Sequence, residues 1–375
     1  MFARRGPAVA GALGWMSADA EAQMAQRLVT SDASAAKLAR AQTLAEGALQ
    51  RELINGRAAA ALASIAALRG DERVAERLFR FSETITRRDL FTQLWLLEAE
   101  VGRGDVERAL VHYDRAMSVS ISSWRLLLPT LANASAERRI AQAVAARLAR
   151  RPNWWRAFAD QFISTNPSPA TAFPVVLSAL RLNPDDETDR HFLVRATSRL
   201  TEIRAYDQAW SLYAAATKQP ASTRAMLRNG DFNVSTAVPP FDWQLLDSGG
   251  LAAIIQPRED GSPGNALYLS AQAGQSGEVA RQLLLLRPGV YVLSGLAGGS
   301  GADSESPSLR IACAADKTAI TQSPLPTDTA QGRSFSLTFS IPSNCPAQWL
   351  LISTNAPLDT TAAPAWIDSL ALRRG

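Results

Sequence analysis

The amino-acid sequence predicts an α-then-β chain, a solenoid of paired helices followed by an antiparallel β-sandwich of jelly-roll type. Three observations carry this expectation. Residues 1–228 are rich in Ala, Leu and Arg, which favour helix, whereas 229–375 are rich in Gly, Pro, Ser and Thr, which favour turns and strands. A pattern in the first part recurs after 34 residues, and the second part breaks into short runs of alternating apolar and polar side chains. A chain of 375 residues, 47% of them hydrophobic, can bury more than one core. The expected organisation is a leader or poorly ordered segment over 1–30, a helical repeat domain over 31–220 and the sandwich over 225–375.

The repeat is read directly from two segments. Gly70-Asp71-Glu72-Arg73-Val74-Ala75-Glu76-Arg77-Leu78-Phe79 matches Gly104-Asp105-Val106-Glu107-Arg108-Ala109-Leu110-Val111-His112-Tyr113. In a helix-turn-helix unit, Gly closes the first helix in a left-handed cap, Asp caps the second, and a small Ala lets the paired helices approach. Phe79 or Tyr113 then fills the space between layers. Tyr206 to Tyr213 repeats the second-helix pattern, and Ala179 to Asp185 reads as the end of a unit. The period and these residues resemble the tetratricopeptide repeat, which implies a concave groove that receives a peptide or protein partner.

Helices are predicted over about 33–69, 71–85, 89–102, 105–118, 123–131, 136–150, 152–163, 170–182, 187–202 and 205–217. The Trp154-Trp155 pair at a helix start reads as core rather than as a ligand platform. His112, on the packing face beside Tyr113, and His191, in a charged helix start, each lack the companions needed for a metal or a catalytic triad.

Past Arg228, the strand-like stretches include Gln282 to Leu286, Val290 to Ser294, Ser334 to Ile341 and Gln348 to Ser353. Both cysteines, Cys313 and Cys345, lie within or beside such stretches. A disulfide in an oxidising compartment and two buried thiols are both open readings.

Asn229-Gly230-Asp231-Phe232, Phe241-Asp242-Trp243, Leu286-Arg287-Pro288-Gly289-Val290-Tyr291 and Trp366-Ile367-Asp368 resemble landmarks of jelly-roll carbohydrate-binding modules. The resemblance implies that a polysaccharide is bound by aromatic rings with polar groups beside them. The residues it nominates are Trp243, which leads the set, with Asp242, Tyr268 and Tyr291; Trp349 and Trp366 read as core. It also implies that the first and last strands are neighbours and can frame a structural calcium ion, with Asp231 and Asp368 as the matching carboxylates. Asn233 stands where the group commonly has Glu, which leaves a turn-capping role for Asp231 open.

Charge divides unevenly, with 31 Lys+Arg and 23 Asp+Glu in 1–228 against 8 and 12 in 229–375. The Arg residues are interleaved with acids, and there is no basic run or nucleic-acid motif, so no nucleic-acid partner is expected. Arg4 and Arg5, the weakly apolar stretch Pro7 to Met16 and Ala18-Asp19-Ala20 mimic an export signal; a disordered leader is the other reading. No Gly-x-Ser-x-Gly elbow, Walker loop or zinc set occurs. Gly298-Gly299-Ser300-Gly301 reads as a flexible loop and Glu259/Asp260 as solvated charge, so no catalytic residues are expected.

The two-part architecture and the segment Arg87 to Glu98 are similar to proteins of bacterial exopolysaccharide and envelope assembly systems. The combined expectation is a non-catalytic glycan-binding scaffold, periplasmic or envelope-associated. A protein-protein adaptor and, more distantly, a glycoside-active enzyme are the alternatives.

Overall fold

The computed structural model describes residues 17–31, 34–165, 172–219, 226–234, 237–299, 307–326, 329–356 and 365–375, without side chains for 172–174. The leader stretch Arg4 to Met16, residues 300–306 of the Gly-rich region and 220–225 at the expected domain junction lie outside them. As expected from the sequence, helices come first and antiparallel sheets second. Two compact units form, Met1–Asn166 and Pro167–Gly375. The last helices therefore belong with the strands, whereas the sequence placed the division between 220 and 225.

The first unit contains α1 (Ala18–Ser31), α2 (Ala35–Arg51), α3 (Gly56–Leu68), α4 (Glu72–Ile85), α5 (Leu90–Gly102) and α6 (Val106–Val119). A 3-10 turn, Ile121–Ser123, leads into α7 (Trp124–Ala134), followed by α8 (Arg138–Leu148) and α9 (Trp155–Thr165). Helix α3 packs on α4 and α5 on α6. The caps between these partners explain the repeated Gly-Asp. Gly70 has φ of 83° and Gly104 of 72°, a backbone region open to glycine at no steric cost.

In each cap the glycine N–H and the following Asp N–H return to the preceding helix: Gly70 to Ala67 O and Asp71 to Ala66 O, Gly104 to Val101 O and Asp105 to Glu100 O, all within 2.9–3.0 Å. The Asp side chains then accept from Val74 N and Arg108 N. Ala75 and Ala109 are buried, as are Phe79 and Tyr113, and Phe79 stacks on Trp95 with ring centroids 4.9 Å apart.

Two expectations are corrected here. The stretch 33–69 is two helices, because Asn55 Oδ1 accepts from Ala58 N at 2.9 Å and starts a new helix at Gly56. A side chain at Gly56 would meet Thr86 Cγ2 at 2.7 Å; the unbroken alanine periodicity hid this break. Residues 18–31, read as part of a leader, form α1, whose Ala18, Ala22 and Ala25 are buried in one cluster with Ala41, Ala45 and Ala48. Trp154 and Trp155 are core as expected, and Trp154 Nε1 donates to Asp114 Oδ1 at 2.8 Å.

The described helices of the second unit are α10 (Ala172–Ser178), which ends before the expected 182, then α11 (Glu187–Glu202) and α12 (Tyr206–Thr217). The α11–α12 cap repeats the same bonds, Arg204 N to Thr201 O and Ala205 N to Leu200 O, with Arg204 itself at φ of 61°. An arginine in the glycine position is why glycine spacing alone misses this third hairpin.

The strands are β1 (Gln244–Leu245), β2 (Asp247–Ser248), β3 (Leu251–Pro257), β4 (Asn265–Ala271), β5 (Ser276–Leu284), β6 (Gly289–Gly298), β7 (Ser308–Cys313), β8 (Ala319–Pro324), β9 (Arg333–Ile341), β10 (Gln348–Asn355) and β11 (Ala365–Arg374). They form a five-stranded sheet, β1-β5-β10-β7-β8, and a six-stranded sheet, β2-β3-β4-β11-β6-β9. Leu309, Ile311, Leu350 and Ile352 of the first sheet share a core with Leu267, Leu269, Leu293 and Ile367 of the second. The opening segment lies on the last strand: Leu370 N donates to Gly230 O at 2.9 Å, and a Cβ on Gly230 would sit 2.0 Å from Leu370 O.

Helices α11 and α12 are joined to the sandwich through residues 237–243 and 315. Trp210 and Tyr213 each place a ring centroid 5.2 Å from that of Phe241. Thr197 Oγ1 donates to Pro239 O and an Arg204 guanidinium nitrogen to Ala315 O, both at 2.8 Å.

Candidate functional site

Strand β10 runs through the middle of the five-stranded sheet, and its period-two alternation separates two faces. Leu350 and Ile352 point into the core, so Trp349, Leu351 and Ser353 lie on the outer face. Registers extend that face sideways. Leu351 stands opposite Arg281 of β5 and Arg310 of β7; Arg281 stands opposite Gln244 of β1, and Arg310 opposite Gln322 of β8. One row of long polar side chains thus crosses all five strands, interrupted only by Leu351.

A bulge sets the next row. The pairing of β5 with β10 shifts between Ile352 and Ser353, so that both Val279 and Ala280 enter the core and Glu278 returns to the outer face opposite Ser353. On the other side of Ser353 stands Ser308 of β7. Glu278, Arg310, Gln322, Ser308, Ser353 and Asn355 line a groove of about 520 Å³.

The polar groups of this outer face are unequally committed. Arg281 Nε donates to Gln244 Oε1 at 2.8 Å, its guanidinium lies 5.0 Å from the centre of the half-buried Trp349 ring, and a terminal nitrogen is 3.6 Å from Glu278 Oε1. Gln322 Nε2 reaches Ser308 Oγ at 3.3 Å. Glu278 Oε1 is shielded from water yet accepts no hydrogen bond, the Arg281 contact being an ion pair beyond hydrogen-bond length. Such an oxygen is costly to leave without a hydrogen bond, and the Arg281 charge offsets part of that cost. Hydroxyls, amides, a carboxylate and a guanidinium in one groove can bind a polar ligand.

The residues nominated from sequence are not brought together. Trp243 is 3% exposed, packs against Phe232 with centroids 5.5 Å apart and donates from Nε1 to Asn229 O at 3.0 Å, so neither face of the ring is open to a sugar. Tyr268 and Tyr291 are each 5% exposed. The Tyr268 hydroxyl accepts from Glu259 N and the Tyr291 hydroxyl donates to Arg287 O. Asp242 accepts from the Tyr213 hydroxyl at 2.8 Å and from Val238 N at 2.9 Å, and serves the junction of helix and sandwich. Trp243, Tyr268 and Tyr291 are thus buried and Asp242 half-buried, and all four have hydrogen-bond partners within the protein.

The calcium reading is tested by the donors present. Asp368 accepts from an Arg258 guanidinium nitrogen at 2.8 Å, and the same guanidinium is paired with Asp260 and lies 4.2 Å from the Trp366 ring centre. Exposed Asp231 accepts from Asn233 Nδ2. A cation already stands at Asp368, and among the described residues no three Asp, Glu, His or Cys side chains converge on a metal position. The pair does not fit a calcium ion, which takes six to eight oxygens.

Asp260 is a poor proton donor as well, since the hydrogen bond from Arg258 holds its carboxyl well below the usual carboxylate range. Cys313 and Cys345 are joined by a disulfide between β7 and the segment entering β10.

No family profile matches the chain, and no curated protein matches it in sequence. Solved structures similar to it include a family 4 carbohydrate-binding module, 18% identical over 40% of this chain and 100% of that one, TM-score 0.30. A carbohydrate-binding module in complex with β-1,4-galactotriose is 14% identical over 41% and 100%, TM-score 0.29. The enzymatically active domain of bacteriophage CBA120 tailspike protein 4 is 11% identical over 40% and 21%, TM-score 0.29.

Proposed function

We propose that the chain is a non-catalytic glycan-binding and scaffolding protein that holds a polysaccharide on the outer face of the five-stranded sheet. The groove beside β10 carries this reading, because Glu278, Arg310, Gln322, Asn355 and the Ser308 and Ser353 hydroxyls line one open space. Glu278 is the only carboxylate lining it among the described residues, whereas glycoside hydrolysis generally needs two.

The helical repeats supply the scaffolding part of the proposal, as a tetratricopeptide-type array receiving a protein partner. In the first unit an apolar groove of about 310 Å³, lined by Val29, Leu68, Phe91, Leu94 and Trp95, is suited to a peptide's apolar side chains. The disulfide supports a place in an oxidising compartment, the periplasm or cell envelope. Exopolysaccharide or envelope assembly and export is the setting we propose on the architecture.

The test is a screen of the full chain against a broad panel of bacterial glycans, followed by titration calorimetry with Glu278→Ala and Trp349→Ala. Binding weakened about tenfold or more by Glu278→Ala is expected, with no release of reducing ends. No binding across the panel favours a protein-protein adaptor with a structural sandwich, and released reducing or unsaturated ends favour an enzyme.

A further inference from the structure

On the outer face of the sheet the charges do not cancel. Two guanidiniums, Arg281 beside the groove and Arg310 in its lining, accompany one carboxylate, Glu278. Arg281 is taken by Gln244, Glu278 and the Trp349 ring. The Arg310 side chain has no hydrogen bond or ion pair among the described residues although it lines the groove and is half-buried. This surplus cation stands in a part of the chain that is acidic as a whole, with 8 Lys+Arg against 12 Asp+Glu in 229–375. It is therefore not the by-product of a basic surface.

Resting on the glycan-binding reading, we infer that the groove selects an acidic polysaccharide, with the carboxylate of a uronic acid seated on the Arg310 guanidinium. Strands β5 and β7 flank β10, which places Glu278, opposite Ser353, and Arg310, opposite Leu351, on different sides of it, separated by roughly two strand spacings of about 4.8 Å across and by two residues along β10. A sugar lying across Ser353 then presents its two chemically different edges to two different groups. Ring hydroxyls donate to the exposed part of the Glu278 carboxylate, and the uronate carboxylate accepts the parallel N–H pair of Arg310. The planar guanidinium fork matches a carboxylate in a way that a lysine ammonium does not. The division of labour also explains why Glu278 is compatible with an anionic ligand: its own charge is already offset by Arg281 at 3.6 Å.

The test titrates the full chain with polygalacturonate, polyglucuronate and polymannuronate, each beside its carboxyl-reduced neutral counterpart, with dextran sulfate as a separate arm. At least one polyuronate is expected to bind about tenfold or more tighter than its neutral counterpart. That preference falls with added salt. Arg310→Gln is expected to abolish the preference with the melting temperature unchanged, because the Arg310 side chain makes no bond whose loss would unfold the sheet. Arg310→Lys should restore it only in part.

Equal or tighter binding of the neutral polymers, or a preference that survives Arg310→Gln, overturns the acidic class and leaves the glycan-binding reading standing. Binding of dextran sulfate without any polyuronate overturns the carboxylate assignment. Binding of no polymer at all overturns both readings.

Discussion

The Tyr213 hydroxyl donates to Asp242 Oδ1 at 2.8 Å and joins the last helix to the segment that opens the sandwich. Burial, and then the Asp242 charge, push the Tyr213 phenol well above its ordinary value, so it stays a donor. Arg228 completes the arrangement, its guanidinium 5.2 Å from the Tyr213 ring centre and Nε 3.3 Å from Asp242 Oδ1.

It follows that the sandwich depends on α11 and α12. Tyr213→Phe should cost about 1–3 kcal/mol, the value of a hydrogen bond to a charged group together with the orphaned acceptor. A fragment of residues 167–375 should melt in one transition at a higher temperature than one of 225–375, which loses Trp210 and Tyr213 from around Phe241. Equal melting temperatures would show the division at 220–225 to be the physical one.

Trp243→Ala removes a fully packed indole and the Nε1 bond to Asn229, so a loss of about 3–5 kcal/mol is expected. The folded fraction should bind glycan as the unaltered chain does. Thermal melts and calorimetry separate this from a ligand-contact role, which would show weak binding with unchanged stability.

How far the sequence could be read depended on the range of the interactions. The Gly70/Asp71 and Gly104/Asp105 caps close within six residues and are visible as a repeat. Alternation over Ser334 to Ile341 located β9 nearly to the residue. The groove was invisible, because Glu278, Arg310, Gln322 and Ser353 meet only through non-local pairing and a bulge at Val279 that resets the register. Trp349 was misleading for a related reason: Trp-Leu-Leu-Ile puts apolar residues on both faces, so alternation cannot say which side is the core. Trp243 led the residues nominated by resemblance, and nothing local announces that Phe232 and Asn229 close over it.

The disulfide should be a stabilising staple. Cys313 and Cys345 are separated by 32 positions in the chain, and closing a loop of that order in the unfolded state contributes about 3–4 kcal/mol. A double Cys→Ala variant, or the reduced protein, should lose about this amount in denaturant melts. An unchanged midpoint would deny the bridge that role.

The alanines of the repeat are contact points between helices. Ala75→Trp and Ala109→Trp each force an indole into a buried position and should destabilise the chain by at least about 1–3 kcal/mol. A tolerated tryptophan at both sites would remove them from the packing face.

His112 makes the first unit sensitive to acid. Its ring is buried between α4, α5 and α6 and shares a hydrogen bond of 2.8 Å from Nδ1 to Gln93 Oε1, with Glu83 3.6 Å away and Arg115 beside it. Burial depresses its pKa below the ordinary 6.5, and Arg115 and Arg80 act in the same sense, while Glu83 and Glu100 oppose them. Above that ordinary value the ring is neutral in both folded and unfolded chains, and its contribution is fully present. As pH falls below 6.5 the unfolded chain takes up the proton first, so stability declines toward the depressed folded value. Melting temperatures measured from pH 7.5 down to about 5 should therefore fall, and His112→Gln, which keeps a hydrogen-bonding head but cannot titrate, should flatten part of that slope. A variant that follows the same slope as the unaltered protein would assign the acid sensitivity to other groups.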